Sequence, residues 1–533
     1  MARAMDVDCA ESLVGLLASH RREVSAAFEE VFAEATVADA GESGWVRLWR
    51  LDESVSMADA LAEAGFAEPG AAAEKLARFR QGATYRMLGN RARARVDDLV
   101  PALLGVLESR DEPDVALDRV LPIIANLAAR STYVALLCQQ PLVLKELVNL
   151  ASRSPWIAET IRNQPILLDE LIDPDSYQPG PGRFKTLLRR RLERLDDPEE
   201  ALIRLRQVQQ AEQLTMAIAR IKGLAEAPQV AAELTGLADA ILGEVLAMSY
   251  RDLAARHGEP SGDNPGMAVI GYGTLGGSEL GFQSDLDLVF LFDGATVSGS
   301  TSGDRCIGNQ QFFTRVAQRV LSGITAPLAG GRLYEVDTRL RPDGNSGFLV
   351  SSVDAYAAYQ RDKAWTWELQ ALTRARWVAG SDRIRRRFEA VRRETLLRER
   401  AETDVARDVL EMRRKMRGHL DRGNPEMFDL KQGVGGKVDI EFLAQYAVLA
   451  WGHRCPQLAD CMGTVAVLDQ VCQLELSPPY LELPGIYREY QRQGQILALL
   501  GLDTLMPEPA LTEHREAVRA SWEKVLEAVV SSG

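Results

Sequence analysis

Two aspartates spaced two apart, Asp285 and Asp287, lie in the apolar run Ser284-Asp285-Leu286-Asp287-Leu288-Val289-Phe290-Leu291-Phe292. The run reads as a β-strand, in which side chains alternate between faces, so both carboxylates share one side while Leu286 and Leu288 enter a core. Neighbouring carboxylates on an apolar strand repel each other and are costly to desolvate. A divalent cation between them relieves both penalties, and hard oxygen ligands suit Mg²⁺ or Mn²⁺. Residues 333–341 also read as a strand, stopped by Pro342. That spacing puts Glu335, Asp337, Arg339 and Arg341 on one face, with Val336 and Leu340 on the other. Asp337 can then complete a two-metal site with Asp285 and Asp287, while Arg339 and Arg341 neutralise phosphate charge. A strand face of mutual salt bridges is the plainer reading of the same pattern.

Upstream of the first strand stands Gly276-Gly277-Ser278. Paired glycines let a backbone turn sharply and come close to a bulky anion. Ser278 can cap a helical turn and offer its hydroxyl and nearby N–H groups to phosphate. A Gly-Gly-Ser turn feeding a strand with Asp-x-Asp is the nucleotidyltransferase arrangement, which grips a triphosphate at the turn and its metals at the aspartates. A glycine turn beside a solvated acidic strand end is the bland alternative.

The elements that must hold these residues are mostly helical. The 533 residues suffice for two to four domains, with 46% hydrophobic and 26% charged residues, an ordinary globular balance. A net charge of −14 argues against gripping nucleic acid over a wide face. Six scattered cysteines without a Cys-x-x-Cys read as reduced thiols in a cytoplasmic protein. No apolar run approaches a membrane span and no signal pattern opens the chain. Apolar positions such as Phe28, Val31, Phe32, Leu61 and Phe66 recur at helical spacing. Short proline-led helices follow, with Pro155 placed behind a Ser154 cap. A linker covers residues 173–182, and Arg189-Arg190-Arg191 reads as a solvated helix face. Two long amphipathic helices fill 201–255, a helix over 311–321 separates the two Asp-bearing strands, and another covers 398–420. Trp365 and Trp367 suggest core packing, with framing of a base as the lesser alternative. Arg374 is a candidate functional charge. Gly433, Gly435 and Gly436 either simply open a helix or bring Lys431 to a phosphate.

Several blocks now bear on family. Gly271-Tyr272-Gly273, Leu275-Gly276-Gly277, Glu279-Leu280-Gly281 and Ser284-Asp285-Leu286-Asp287-Leu288 occur in order. Tyr334-Glu335-Val336-Asp337, Arg339-Leu340-Arg341-Pro342, Trp365-Thr366-Trp367-Glu368, Asp429, Lys431 and Asp439-Ile440-Glu441-Phe442 follow. In order and spacing they resemble the bacterial glutamine synthetase adenylyltransferase family, over nearly all of the chain after its first hundred or so residues. The resemblance implies an α+β, predominantly helical fold with a DNA polymerase β-like nucleotidyltransferase core and small mixed sheet. It divides the chain into an N-terminal helical segment (1–92), a helical regulatory linker (93–180), the nucleotidyltransferase domain with preceding helices (181–395) and a C-terminal helical bundle (396–533). The family carries two heads, one removing AMP by phosphorolysis and one attaching it. The Gly-Gly-Ser and Asp-x-Asp unit occurs once here, and Gly271-Tyr272-Gly273 with Gly281-Phe282 is similar to the attaching copy. A C-terminal half is therefore expected, either truncated or naturally short. The implied reaction moves AMP from ATP to a tyrosine of glutamine synthetase. Asp285, Asp287 and Asp337 would hold two metal ions about 3.5–4 Å apart, with Asp337 also taking the proton. Gly276, Gly277, Ser278, Arg339, Arg341 and Lys431 would meet the phosphates. A PII-type signalling protein is an implied partner, with neither nucleic acid nor membrane. Uridylyl transfer to a PII-type protein, or a regulatory binding module of low activity, are the alternatives.

Overall fold

The computed structural model describes residues 44–51, 54–108, 110–172, 179–180, 182–193, 195, 197–262, 265–294, 298–328 and 331–532. Phe28, Val31, Phe32, Cys9 and most of the expected 173–182 linker lie outside the described residues. The chain divides into two compact units, Met1–Asp114 and Val115–Gly533.

The first unit is helical. Helices α1 (Gly44–Leu51), α2 (Ser54–Glu63), α3 (Pro69–Gln81) and α4 (Asn90–Leu107) bury Trp49, Leu61, Leu76, Val96, Leu99 and Leu103. Leu61 and Phe66, picked out by their helical spacing, are both buried. Asp97 anchors this core, accepting hydrogen bonds from Trp49 Nε1 at 2.9 Å and from the Tyr85 hydroxyl.

The second unit includes short helices that proline starts, one of them capped by the side chain of the residue before it. Helix α5 spans Pro141–Arg153 and α6 spans Pro155–Asn163. Ser154 Oγ accepts from Ile157 N at 3.1 Å and donates to the Leu499 carbonyl at 2.6 Å, so one hydroxyl caps α6 and ties it to the far end of the unit. Two long helices follow, α7 (Pro198–Lys222) and α8 (Ala227–His257), the first capped by Asp197. In α8 apolar residues such as Leu234, Leu237, Ile241 and Val245 are buried along its length. A helix packed on more than one side has this composition.

The sheet holds β1 (Met267–Gly271), β2 (Leu286–Phe292), β3 (Val336–Asp337), β4 (Val350–Ser352) and β5 (Arg376–Gly380). Its order is β3-β2-β1-β5. β1 runs antiparallel to β2 and β5, whereas β3 and β4 both lie parallel to β2, β3 against its start and β4 against its end. Beyond Asp287, β2 is buried on both faces, which is why it reads as a continuous apolar run. Helix α9 (Asn309–Thr325) buries Phe312, Val316 and Val320, and packs against α8, which also covers β5.

The remainder is helical: α10 (Thr366–Thr373), α11 (Asp382–Leu396), α12 (Glu402–Leu420), α13 (Lys437–Trp451), α14 (Thr464–Gln473) and α15 (Leu483–Leu499). A two-stranded antiparallel ribbon pairs Met427–Asp429 with Leu505–Pro507. Tyr446, Tyr480, Tyr487 and Tyr490 are fully buried among these helices. The chain is thus mostly helical with one small mixed sheet, as the fold class anticipates. Among the described residues no single helix is long and apolar enough to cross a membrane, though the bent pair Thr132–Gln139 and Pro141–Arg153 reaches that length together. None of the five described cysteines forms a disulfide.

Three expectations are corrected. The strand read over 333–341 is two residues long, because the chain turns at Asp337, whose Oδ1 accepts from Arg339 N at 2.7 Å. Arg339 and Arg341 therefore do not continue a strand face. Asp285 precedes β2 rather than lying within it. Trp365 is 70% exposed and Trp367 37%, so neither is a core residue. Trp365 stands just ahead of α10, where its N–H donates to Glu368 Oε2 at 2.9 Å and its ring faces solvent.

Candidate functional site

The first turn of the site is built where β1 ends. Gly271 closes the strand, Tyr272 N donates to the Asp287 carbonyl at 2.9 Å, and a single helical turn spans Gly273–Gly276. Gly273 has φ +56°, and a Cβ there would stand 2.2 Å from Asp287 Oδ2. Only glycine allows the turn to lie over that carboxylate. Gly276 serves packing: its Cβ would meet the Arg374 carbonyl oxygen at 1.9 Å. Ser278 is exposed and holds a φ of 57°, a left-handed conformation uncommon for a residue with a side chain.

The three aspartates come together. β2 and β3 pair in parallel with Asp287 opposite Asp337, and Asp285 lies at the entry to β2. Asp287 is half-buried, and its carboxyl is pushed up to about 6, first by burial, then by the charges of Asp285 and Asp337. Arg374 and Lys431 pull in the opposite direction. Asp337 is held below the usual carboxylate range, chiefly by its hydrogen bond to Arg339. Arg339 Nε lies 2.7 Å and Nη2 2.5 Å from Asp337 Oδ2. Arg341 is engaged elsewhere, its Nη1 donating to the Thr338 carbonyl and hydroxyl at 2.8 Å each.

Among the described residues no group of three His, Cys, Asp or Glu side chains stands ready to hold a metal ion. The Arg339 guanidinium fills the place beside Asp337 that a cation would take. The donor chemistry nonetheless suits a hard dication at Asp285 and Asp287, where burial first and the neighbouring carboxylates second disfavour the charge on Asp287.

Two openings meet here. A cavity of about 400 Å³ is walled by Gly273, Thr274, Asp285, Asp287, Lys431 and Lys437, with α15 forming a further wall. An open cleft of about 720 Å³ is lined by Gln283, Asp285, Glu335, Asp337 and Arg339. Asp285 borders both. The turn presents Gly273 and Thr274 to the cavity, while Gly276 and Gly277 are buried behind them against Arg374.

Arg374 holds a buried charge network behind this wall. Its Nη2 donates to Glu279 Oε2 at 2.6 Å and its Nη1 pairs with Glu441 Oε2 at 3.0 Å. The Tyr487 hydroxyl lies 2.7 Å from Glu279 Oε2 and 2.9 Å from Glu441 Oε1, and Thr464 N donates to Glu279 Oε1 at 2.7 Å. Burial opposes the charge on Arg374, yet Glu441 and Glu279 outweigh it and hold the guanidinium well above its ordinary range. Burial alone would raise Glu441; Arg374 and Lys437 overcome it and keep the carboxylate ionised. One network thus ties the turn after β1 to α13, α14 and α15. The glycine-rich entry to α13 is clasped in the same way. Asp439 accepts from Gly435 N at 2.7 Å and from Arg413 Nε at 2.6 Å, while Tyr490 donates to the Gly435 carbonyl at 2.8 Å. Lys431, exposed, emerges from that loop onto the cavity wall.

Two cavity residues escape the sequence reading. Lys437 follows the glycine loop, with Glu441 one helical turn on, a pattern that charge spacing could have flagged. Gln491 is one glutamine of an amphipathic helix and carries no local signal.

Residues 144–391 match the family model described as glutamate-ammonia ligase adenylyltransferase. Proteins named bifunctional glutamine synthetase adenylyltransferase/adenylyl-removing enzyme are similar over almost the whole chain. The one from Thioalkalivibrio sulfidiphilus is 40% identical over 99% of this chain and 56% of its own length. The one from Methylococcus capsulatus is 40% identical over 99% of this chain and 57% of its own. The one from Idiomarina loihiensis is 40% identical over 95% and 54%. The chain spans about half the length of these relatives. The resemblance drawn from the motifs therefore holds, and the relatives' names speak of adenylyl groups rather than uridylyl ones.

Proposed function

We propose that this chain, whose motifs and near-full-length match are those of the glutamine synthetase adenylyltransferases, transfers AMP from ATP to a tyrosine hydroxyl of glutamine synthetase and releases pyrophosphate. One observation carries the reading: Asp287 sits in register beside Asp337, with Asp285 at the entry to β2, where a half-open cavity meets an open cleft. The sheet with its Asp-bearing edge is then a DNA polymerase β-like nucleotidyltransferase core. ATP takes the cavity, and the acceptor tyrosine approaches through the cleft.

Asp285 and Asp287 would hold Mg²⁺ or Mn²⁺, joined by Asp337 once Arg339 lets go; bound there, a dication screens the phosphates and eases deprotonation of the acceptor hydroxyl. Lys431 and Lys437 set positive charge along the triphosphate. Gly273 leaves room for it beside Asp287. Arg339, freed from Asp337, offsets charge on the phosphoryl group being transferred. Asp337 is a poor base while Arg339 holds it, and opening of that pair restores its capacity to take the proton. Gly276, Gly277 and Ser278 fix the course of the turn, and Arg341 fixes the loop after Asp337. Similarity to the attaching copy supports AMP addition rather than removal. Control by a PII-type protein and a cytoplasmic setting belong to the same proposal.

Incubation with glutamine synthetase, Mg²⁺ and ATP, followed by intact mass measurement, tests it. The expected product gains one AMP moiety on a tyrosine, with UTP a poor substitute. An unmodified acceptor would overturn the proposal, as would addition of UMP.

A further inference from the structure

We infer that Gln491 selects the base of the bound nucleotide, by accepting a hydrogen bond from the exocyclic amino group of adenine. The inference rests on the nucleotidyltransferase reading above and narrows it to one base-recognising side chain.

Gln491 lies on α15 and is 7% exposed, and its Oε1 is buried with no hydrogen-bond partner among the described residues. Native interiors rarely leave such an acceptor unmet, since its desolvation is not repaid. It borders the same cavity of about 400 Å³ as Asp287 and Lys431. Its polar neighbours on that helix are already engaged. Gln495 Nε2 donates to the Ala227 carbonyl at 2.8 Å, and its Oε1 accepts from Arg220 Nε at 3.2 Å. The Tyr490 hydroxyl donates to the Gly435 carbonyl at 2.8 Å. The unmet acceptor of this wall therefore belongs to Gln491.

The cavity's other walls divide by chemistry. Lys431 and Lys437 suit phosphate oxygens, while Leu280, Leu430, Leu497 and Ala498 offer apolar surface to a flat ring. A ring placed against that surface brings its polar edge to the α15 wall. Adenine presents an N6 amino donor beside ring-nitrogen acceptors, which a carboxamide meets with two hydrogen bonds. On the edge that carries N6 and N7 in adenine, guanine and hypoxanthine show only acceptors, O6 and N7, so a carboxamide reading that edge leaves Oε1 unpaired. Uracil can offer N3–H and O4 to the amide, but its single ring covers less of the apolar surface. A buried group aimed at one substrate hydrogen bond rejects the analogue that lacks it, which is how one glutamine can separate the nucleotides.

The test is equilibrium binding of ATP and of ITP, its 6-oxo analogue, to the full chain, which needs no acceptor protein. The native chain should bind ATP about 10- to 100-fold more tightly than ITP. In Gln491→Leu the ATP affinity should fall and the preference should shrink to within about threefold, with the thermal midpoint held or raised because an unpaired buried acceptor is gone. Gln491→Met, closer in length, replaces the leucine variant if that chain fails to fold. A native chain that binds ATP, with an ATP-to-ITP preference unchanged in the variant, overturns the role of Gln491 and leaves the transferase reading intact. A native chain that binds neither nucleotide overturns both.

Discussion

Replacing Asp287 with asparagine should stabilise the metal-free protein while abolishing AMP transfer. The native carboxyl stands at about 6 against an ordinary 3.8, raised first by burial and then by Asp285 and Asp337. The sign follows from linkage: between those values the folded chain keeps a proton that the unfolded chain has released, so stability falls as pH rises through the window. The favourable contribution is full below the unfolded value and is lost above the folded one. A difference of about 2 units corresponds to about 3 kcal/mol, an upper bound for a half-buried group. Asparagine fills the same space without the charge, so the variant should gain up to about 3 kcal/mol at pH 8 and roughly half of that at pH 5. Denaturant unfolding in chelator at the two pH values measures the gain. Added Mg²⁺ should then stabilise the native chain more than the variant, because a dication relieves repulsion that the variant no longer has. A variant no more stable than the native chain at pH 8 would refute the premise of crowded negative charge, and with it the reason to expect a dication there.

Removing the Arg374 guanidinium in Arg374→Met should cost about 3–5 kcal/mol in denaturant unfolding, since Glu279 and Glu441 are left buried without their partner; a loss below about 1 kcal/mol would mean that water reaches the network. Gly276→Ala should lower the yield of folded protein far more than Gly277→Ala, because the first meets backbone oxygen at 1.9 Å and the second the Arg374 side chain at 3.0 Å; equal yields from soluble expression would contradict that geometry. Arg339→Ala should tighten Mn²⁺ binding, read by calorimetry, since Asp337 is released to the cation; weaker binding would show that the arginine does not compete for that carboxylate.

The local pattern carried far where the chemistry is local. Asp287 could be placed on an apolar strand because alternation and burial leave few other readings of that run, whereas Asp285, read into the same strand, falls just ahead of it. The cap at Ser154 and the helix read over 311–321, observed as Asn309–Thr325, follow from residue type and period alone. The pattern failed where a side chain bends its own backbone. The run after Leu333 alternates like a strand, yet Asp337 accepts the Arg339 N–H and ends β3 after two residues. Trp365 looked like core by composition but stands at a helix entry, where its ring faces solvent.

What the sequence by itself determined is the resemblance to the adenylyltransferases, the mostly helical class and the identity of the acidic residues at the sheet edge. These depend on periods and spacings within a few residues of one another. Only the tertiary structure decided that Glu279, Arg374, Glu441 and Tyr487 form one buried network, that Arg339 occupies Asp337, and that Gln491 closes the cavity with an unmet acceptor. Glu279 and Tyr487 are 208 positions apart in the chain. Nothing in local propensity brings such groups together. They meet because burying the apolar faces of α13, α14 and α15 against one another, and of α15 against α8, leaves these polar groups facing one another, where each needs the other's charge or hydrogen bond.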